Sequence, residues 1–263
     1  MKRLRFGLLA VGLALGLVVV AGIAFGHGDR GSAQSAPMPR HPGTGAVSRP
    51  GPTASGDALS AAISAAQLRL QGNDRDWETW ANLGSAYVEQ GRVTVDPSYY
   101  PKAEGALRRS LELHPDGNFA ADIGLGALAN ARHNFPDAVV HGQRALAADP
   151  YSATANGVLA DAYTQLGDYP AASAAAQRML DLKPGTDSFA RASYDLEIHG
   201  DPAGAAAALQ DALASAYTPA DTAFCRYYLG ELAFNSGDPA EAARQYEAGL
   251  GADPGYAPLL QGN

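Results

Sequence analysis

Apolar positions in the C-terminal two thirds of this chain recur at the spacing of an α-helix. In the segment GDYPAASAAAQRMLDLKP, residues 170–182 carry an apolar stripe at positions i, i+4, i+7 and i+8, formed by Ala172, Ala176, Met179 and Leu180. Because residues at this spacing lie on one helix face, the run predicts an amphipathic helix that ends before Pro184. The same layout returns in GDPAEAARQYEAGLGADP, which ends at Pro254.

Start and stop signals divide the apolar runs into pairs. The dipeptides Asp201-Pro202 and Asp238-Pro239 are favourable helix starts, because aspartate caps free N–H groups and proline fits the first helical position. Prolines that cannot continue a helix follow the runs, at Pro115, Pro150, Pro184 and Pro254. The chain therefore reads repeatedly as helix, short turn, helix and stop.

A small residue followed twelve positions later by alanine marks each of these units. The pairs are Gly126 and Ala138, Ala160 and Ala172, Ser193 and Ala205, and Gly230 and Ala242. Their first members lie 34, 33 and 37 positions apart. A period near 34 residues is typical of a helix-turn-helix solenoid, in which each repeat buries its apolar face against its neighbours. The sequence thus predicts an all-α solenoid of antiparallel helix pairs.

This pattern resembles the tetratricopeptide repeat family, and the resemblance implies about five repeats over residues 73–255. The small residue of the family's first helix matches Gly84, Gly126, Ala160, Ser193 and Gly230, and the alanine of its second helix matches Ala103, Ala138, Ala172, Ala205 and Ala242. The first repeat, WANLGSAY, also has the family's aromatic and leucine positions. Its small residue and alanine are 19 positions apart, which predicts seven extra residues within VTVDPSYYP.

The two ends of the solenoid differ in the sequence. Residues 57–72 (DALSAAISAAQLRLQG) predict one further amphipathic helix that caps the first repeat. Residues 256–263 are too short to complete another repeat. Since solenoids usually need a polar capping helix, we expect the last helix pair to be left partly uncovered, either as a partner surface or as the stump of a longer array.

Residues 1–26 have the features of a membrane-directed segment. Lys2, Arg3 and Arg5 precede an uncharged run of 21 residues, 6–26, which is long enough to span a bilayer. The charges predict that the N-terminus stays in the cytoplasm and the rest lies outside it. A retained anchor is favoured over a signal cleaved before Ala36, which would make the protein secreted. Residues 27–56 lack aromatic residues, are rich in Pro, Gly and Ser, and predict a disordered linker.

The charge balance limits the classes of partner. Residues 1–50 hold six basic residues and one acidic residue, so 13 basic and 26 acidic residues remain, a net charge of −13. Such a surface repels phosphate backbones and argues against nucleic-acid binding. It favours a neutral to basic protein or peptide. The sequence does not indicate an oligomeric state.

Motifs for chemistry are missing from the sequence. It contains no G-x-S-x-G, H-E-x-x-H, C-x-x-C or glycine-rich phosphate loop, so we expect neither an enzyme nor a cofactor site. His133 and His141 are eight residues apart but a turn separates them, and the histidines predict no metal site. Cys225 is the single cysteine and lies in an apolar run, which favours a buried thiol.

The family resemblance implies that the first helix of each repeat lines a concave surface. By register, the groove residues are Asp161, Gln165, Tyr194, Glu197, Tyr227, Tyr228, Glu231 and Phe234. They predict a groove for an extended peptide with basic or aromatic side chains, although the tyrosines could instead fill gaps between repeats. Tyr99 and Tyr100 are expected on a loop, where they either contact a partner or, as we favour, pack onto the first repeat.

Together these features predict a non-catalytic interaction scaffold outside the cytoplasm. Two alternatives stay open at this stage. One is an assembly chaperone that holds a client such as apocytochrome c, and the other is an accessory subunit of an envelope enzyme or transporter complex.

Overall fold

The computed structural model describes residues 54–260, with side chains from Ala58 onward. This part of the chain contains twelve α-helices and no β-strand. The helices are α1 (Ala54–Gly72), α2 (Trp77–Val93), α3 (Tyr99–Leu113), α4 (Phe119–Ala131), α5 (Phe135–Ala148), α6 (Ala153–Leu166), α7 (Tyr169–Leu182), α8 (Thr186–Ile198), α9 (Pro202–Ala214), α10 (Pro219–Asn235), α11 (Pro239–Ala252) and α12 (Ala257–Leu260).

The helices form five consecutive antiparallel pairs, α2–α3, α4–α5, α6–α7, α8–α9 and α10–α11. The first helix of each pair also packs against the first helix of the next pair, so α2, α4, α6, α8 and α10 form an inner layer. The core runs between the layers as a series of apolar clusters instead of one central core. This confirms the predicted all-α solenoid of antiparallel helix pairs.

Side-chain caps fix where the second helices begin. The carboxylate oxygens of Asp201 and Asp238 accept hydrogen bonds from backbone N–H groups three residues later, both at 2.9 Å. Each such cap stabilises a helix by about 1 kcal/mol. The four prolines that were expected to stop helices all lie two residues beyond a helix end. The start and stop signals in the sequence are therefore confirmed.

Small residues allow the two helices of a pair to approach closely. A Cβ atom added to Gly84 would lie 2.5 Å from Leu107 Cγ, so α2 has no room for a side chain at this position. On Gly230 an added Cβ would overlap the Tyr246 ring. Ser193 uses its small size differently, since its hydroxyl donates a 2.8 Å hydrogen bond to the Ala205 carbonyl. The spacing of small residues in the sequence thus reflects helix contacts inside each repeat.

All five turns between paired helices close with the same backbone hydrogen bond. In each turn a residue with positive φ is followed by one whose N–H bonds to the carbonyl five residues earlier. These bonds, of 2.8–3.0 Å, join Asp96 to Gly91, Asn134 to Ala129, Asp168 to Tyr163, Asp201 to Leu196 and Asp238 to Ala233. Glycine holds the positive-φ position in the last three turns, whereas His133 and Val95 hold it in the first two.

The shared turn locates the seven extra residues of the first repeat. Gly84 precedes Asp96 by twelve positions, whereas the matching distance in the other repeats is eight, so four residues lengthen α2 by one turn. The remaining three residues lie between Asp96 and Ala103, in the connection to α3 and its first turn. The insertion is therefore divided between an inner helix and the chain that follows it.

Tyr99 and Tyr100 do not lie on a loop, because they form the first turn of α3. The predicted loop position is wrong since the connection ends at Ser98. Both rings pack against the core cluster of the first repeat, as in the alternative that the sequence analysis favoured. Lys102 places its ammonium group 4.7 Å from the centre of the Tyr99 ring.

The N-terminal part of the chain is described only from residue 54 onward. The predicted anchor, residues 1–26, and the predicted linker up to residue 53 lie outside the described residues. Within residues 54–260, no helix has both the length and the apolar character needed to cross a membrane.

At the C-terminal end of the described chain, Leu259 of α12 is only 4% exposed and lies against Gly249, while Tyr256 packs beside Phe224. The short C-terminal segment therefore covers part of the face that was expected to be open.

Candidate functional site

The inner helices α2, α4, α6 and α8, mainly through their C-terminal halves, line a concave pocket of about 370 Å³ together with the first halves of the outer helices α3, α5 and α7. We call this concave inner surface, with its pocket, the groove. Its apolar lining consists mainly of small side chains, namely Val88, Ala127, Ala131, Ala160, Ala172 and Ala176. Tyr100, Phe135 and Tyr194 add aromatic surface. Short side chains on α2, α4, α6 and α7 keep the groove open, because nothing large fills the space between them.

A buried ion pair lies under the middle of the groove. Arg191 on α8 donates two hydrogen bonds to Asp161 on α6, from Nε and Nη2, each 2.8 Å long. Burial works against the charge on Arg191, but the Asp161 carboxylate more than offsets this and raises the pKa of the guanidinium. The pair links two successive inner helices, so it fixes the geometry of the groove and leaves Asp161 occupied.

Further charges approach one another across the groove. Arg92 at the end of α2 forms an ion pair with Glu89, and it is also close enough to Asp187 on α8 for their charges to interact. Burial raises the pKa of Asp187 to about 6, and the carboxylates of Asp221 and Glu89 contribute to this rise, although Arg191 opposes it. One carboxylate oxygen of Asp187, Oδ1, is buried without a hydrogen-bond partner.

Tyrosines and carboxylates gather where α8 faces α10. We call Tyr194, Glu197, Tyr227 and Glu231 the acid–tyrosine cluster. Burial raises the pKa of Glu197, Asn235 lowers it through a 3.5 Å hydrogen bond, and the negative charge of Glu231 raises it further. Burial and then Glu231 raise the pKa of Tyr227, while burial and then Glu197 raise that of Tyr194. The cluster therefore concentrates negative charge beside aromatic surface.

The residues predicted for the groove have different environments in the structure. Gln165 and Tyr194 line the pocket, and Phe234 is 63% exposed at the end of α10. Tyr228 instead packs against two core clusters, so it fills the space between repeats. Glu231 accepts a 2.5 Å hydrogen bond from the Tyr246 hydroxyl on α11. Asp161 and Glu231 thus already have close partners within the fold. Gln165, Tyr194 and Glu197, whose bond from Asn235 is 3.5 Å long, are the better candidates for contact with a ligand.

Sequence reasoning missed the part of the groove that the first repeats build. Val88, Asn130 and Thr164 line the pocket, and each lies four positions after the small residue of its repeat. Glu197 and Phe234 occupy the same position in the last two repeats. The signal was therefore present in the sequence, because a register that identifies groove residues in two repeats identifies them in all five.

Metal binding and cysteine reactivity can be judged from the side chains of the described residues. Within this range, no three His, Cys, Asp or Glu side chains are grouped so that they could hold a metal ion. Cys225 is fully buried, and burial raises the pKa of its thiol to about 12. A thiol in this state is a poor nucleophile, so it acts as a small apolar side chain in the core.

Family comparison agrees with the helix pattern. Residues 129–192 and residues 190–257 each match a family model described as a tetratricopeptide repeat. The tetratricopeptide repeats that the sequence resemblance predicted are thus confirmed over residues 129–257. No curated protein matches the sequence.

Solved structures give the same result for the fold. A thermophilic tetratricopeptide repeat protein from Thermus thermophilus matches with a TM-score of 0.59 and 22% identity, covering 68% of this chain and 95% of that one. A tetratricopeptide repeat protein from Parabacteroides merdae gives 0.61 and 16%, covering 78% and 76%. PilW, a type IV pilus biogenesis factor, gives 0.56 and 16%, covering 79% and 91%. At these identities the likeness concerns the fold alone.

Proposed function

Because this chain contains tetratricopeptide repeats, we propose that it is a non-catalytic scaffold that binds an extended, neutral to basic segment of a protein in its groove. The observation that carries this proposal is an apolar pocket next to an acidic cluster. The pocket accepts apolar side chains, and the acid–tyrosine cluster attracts cations. An extended segment that carries both apolar and basic side chains would contact the pocket and the acid–tyrosine cluster together.

Electrostatics support a basic partner. Residues 54–260 carry 13 basic and 26 acidic residues, so a cationic segment is attracted to this domain over a distance. At close range, burial raises the pKa of the Glu197 carboxyl, and the negative charge of the Glu231 carboxylate adds to this rise. A lysine or arginine placed between these two carboxylates would relieve their repulsion, and this relief would be part of the binding energy.

The rigidity of the groove also supports binding. The buried Arg191–Asp161 pair joins the inner helices α6 and α8, and the close contacts at the small residues hold inner helices against the outer helices of their repeats. A groove that is already formed loses little conformational entropy when a ligand binds. Binding then requires ordering of the partner segment only.

We further propose that this scaffold acts outside the cytoplasm, held at the membrane by residues 1–26. The uncharged run and its preceding positive charges support this location. The alternatives, a chaperone for a client such as apocytochrome c and an accessory subunit of an envelope complex, stay predictions.

The proposal can be tested by affinity capture with the full-length chain from cell-envelope extract. In the groove variant Gln165→Arg/Glu197→Arg, positive charge replaces the proposed contacts for a basic segment. The control variant, Gln177→Arg/Glu247→Arg, makes the same change of charge on the outer helices α7 and α11, where both residues are exposed.

We expect one or more proteins to be retained by the wild type and the control variant but lost from the groove variant. Equal retention by all three proteins would show that binding does not use the groove. Loss from both variants would show that only the overall charge matters.

A further inference from the structure

We infer that residues 36–53 of this chain bind in its own groove and compete there with the partner. This inference rests on the proposed function, because it assigns an intramolecular ligand to the same site. It follows from three observations: where the described chain begins, what lines that edge of the groove, and the chemistry of the preceding residues.

The first observation is the direction of α1. A short connection between Gly72 and Trp77 joins α1 to α2, and Gln67 donates a 2.8 Å hydrogen bond to the Tyr87 hydroxyl. Near this connection, Arg69 pairs with Asp76 at 2.6 Å. The two helices are therefore antiparallel, so the start of α1 lies beside the end of α2. Ala54, where the described chain begins, therefore lies at that edge of the solenoid.

The second observation is that the pocket opens at the same edge. Its lining comes mainly from the C-terminal halves of the inner helices, from the connections that follow them, including Val95 and Pro97 after α2, and from the first halves of the outer helices α3, α5 and α7. Val95 is 78% exposed and has a positive φ of 53°, which is unfavourable for a β-branched residue. An exposed valine held in this conformation places apolar surface at the mouth of the pocket.

The third observation is the sequence APMPRHPGTGAVSRPGPT of residues 36–53. It contains five prolines, which favour extended backbone and lose little entropy when they dock on aromatic surface. Such surface is available from Tyr100, Phe135 and Tyr194 in the pocket. Met38 and Val47 are side chains of a suitable kind for the apolar lining.

Charge is complementary as well. Residues 36–53 contain Arg40 and Arg49 and no acidic residue, whereas residues 54–260 have a net charge of −13. The acid–tyrosine cluster offers carboxylates that repel each other, at Glu197 and Glu231. An arginine from the segment would neutralise this repulsion in the same way as a basic side chain of the partner.

The segment is long enough and is present at high local concentration. Eighteen residues in extended form reach about 55 Å, more than the width of a few neighbouring helices. A covalently linked ligand typically has an effective concentration of the order of millimolar. Even a weak contact is therefore well occupied, and a partner has to displace it.

The inference can be tested by photo-crosslinking in the purified full-length chain without any partner. A benzophenone amino acid replaces Val95 at the pocket mouth or, as the control, Leu68, which is 69% exposed on α1. We expect crosslinks within one chain from position 95 to residues 36–53, and at least about fivefold fewer from position 68. Mass spectrometry of the monomeric product identifies the linked residues.

A second variant separates charge recognition from proximity. Arg40→Ser/Arg49→Ser should weaken the intramolecular contact about fivefold, the loss expected for two solvent-accessible ion pairs, and should therefore lower the yield from position 95. The neutral control Thr44→Ser/Ser48→Thr should leave it unchanged. In cell-envelope extract, the same arginine variant should retain more of the partner protein than the wild type does.

The outcomes distinguish the inference from the proposed function. Equal crosslinking from positions 95 and 68, or links only to a second copy of the chain, would overturn intramolecular binding. If partner capture still depends on Gln165 and Glu197 in that case, the scaffold function stands without its internal ligand. If capture is also independent of these residues, both proposals fail.

Discussion

Arg191 and Asp161 are thirty residues apart in sequence, and two hydrogen bonds of 2.8 Å join their side chains beneath the groove. Both side chains are largely removed from water, with 6% and 12% of their surfaces exposed. The pair therefore behaves as one unit. Its partners belong to consecutive repeats, so it connects the two inner helices that form the middle of the groove.

Removing one partner of this pair should destabilise the fold strongly. Arg191→Met leaves the Asp161 carboxylate buried without its counter-charge, and we expect it to lower the free energy of unfolding by about 3 kcal/mol. The double variant Arg191→Met/Asp161→Leu should lie within about 1 kcal/mol of the wild type, because the Asp161 charge is removed together with its counter-charge. Denaturation by urea gives both values.

An exposed ion pair provides the control. Arg109 and Glu112 on α3 form a 3.1 Å pair with 40% and 66% of their side chains exposed. A double-mutant cycle of Arg109→Met and Glu112→Leu, compared with the cycle of Arg191→Met and Asp161→Leu, should give a coupling energy of about 0.5 kcal/mol or less. Equal coupling energies in the two cycles would contradict the special role of the buried pair.

Backbone strain at Val95 gives a second prediction. Val95→Gly removes the side chain from a positive-φ position and should raise the free energy of unfolding by about 0.5–1 kcal/mol. The reciprocal change, Gly167→Ala, places a side chain on a residue with φ of 77° and open space around it. It should lower stability by about 1 kcal/mol, through the backbone alone. Thermal unfolding with the same sign for both variants would refute this explanation.

Helix approach at the small residues gives a third prediction. Gly84→Ala puts a Cβ into contact with Leu107 Cγ and the Ala103 carbonyl, and it should cost about 1–3 kcal/mol. Gly105 lies on the exposed face of α3 with nothing near an added Cβ. Gly105→Ala should therefore stabilise the protein by about 0.5–1 kcal/mol, as expected for a helix interior. Chemical denaturation measures the free energy of unfolding of both variants. Equal changes for Gly84→Ala and Gly105→Ala would mean that the contact at Gly84 is not tight.

The fold was predictable from the sequence because its signals are local and repeated. Capping aspartates, terminal prolines and the twelve-residue spacing each act within one repeat, and the period multiplies them. The position of Tyr99 and Tyr100 was not predictable, because a seven-residue insertion in sequence does not show which part lengthens α2. That division depends on the turn bond from Asp96 to Gly91, which only the structure reveals.

The site was predictable only in part, for a different reason. Register correctly brought Gln165 and Tyr194 to the pocket, since it depends on helix periodicity. Register cannot show which side chains already have partners. Asp161 is bound by Arg191 and Glu231 by Tyr246, and both contacts join residues that are distant in sequence or on different helices.

Asp187 should make stability depend on pH. Its pKa of about 6 is above the usual aspartate value of 3.8, so folding favours the protonated carboxyl. The stabilisation that the protonated Asp187 carboxyl gives to the fold is complete below pH 3.8. It is lost as pH rises through about 6, where the carboxyl ionises in its buried position. Asp187→Asn keeps a neutral side chain, so its stability relative to the wild type should be about 1–2 kcal/mol higher at about pH 7.5 than at about pH 4.5. Urea titrations at the two pH values measure this difference, and an unchanged difference would contradict the assignment.

Site-specific crosslinking in living cells shows directly whether a partner protein binds in the groove. The full-length chain carries a photo-crosslinking amino acid at Gln165 in the pocket or at exposed Gln177 on the outer helix of the same repeat. We predict that position 165 forms a covalent adduct with a separate protein and that position 177 does not. An adduct with the same protein from both positions, or from position 177 alone, would contradict binding in the groove.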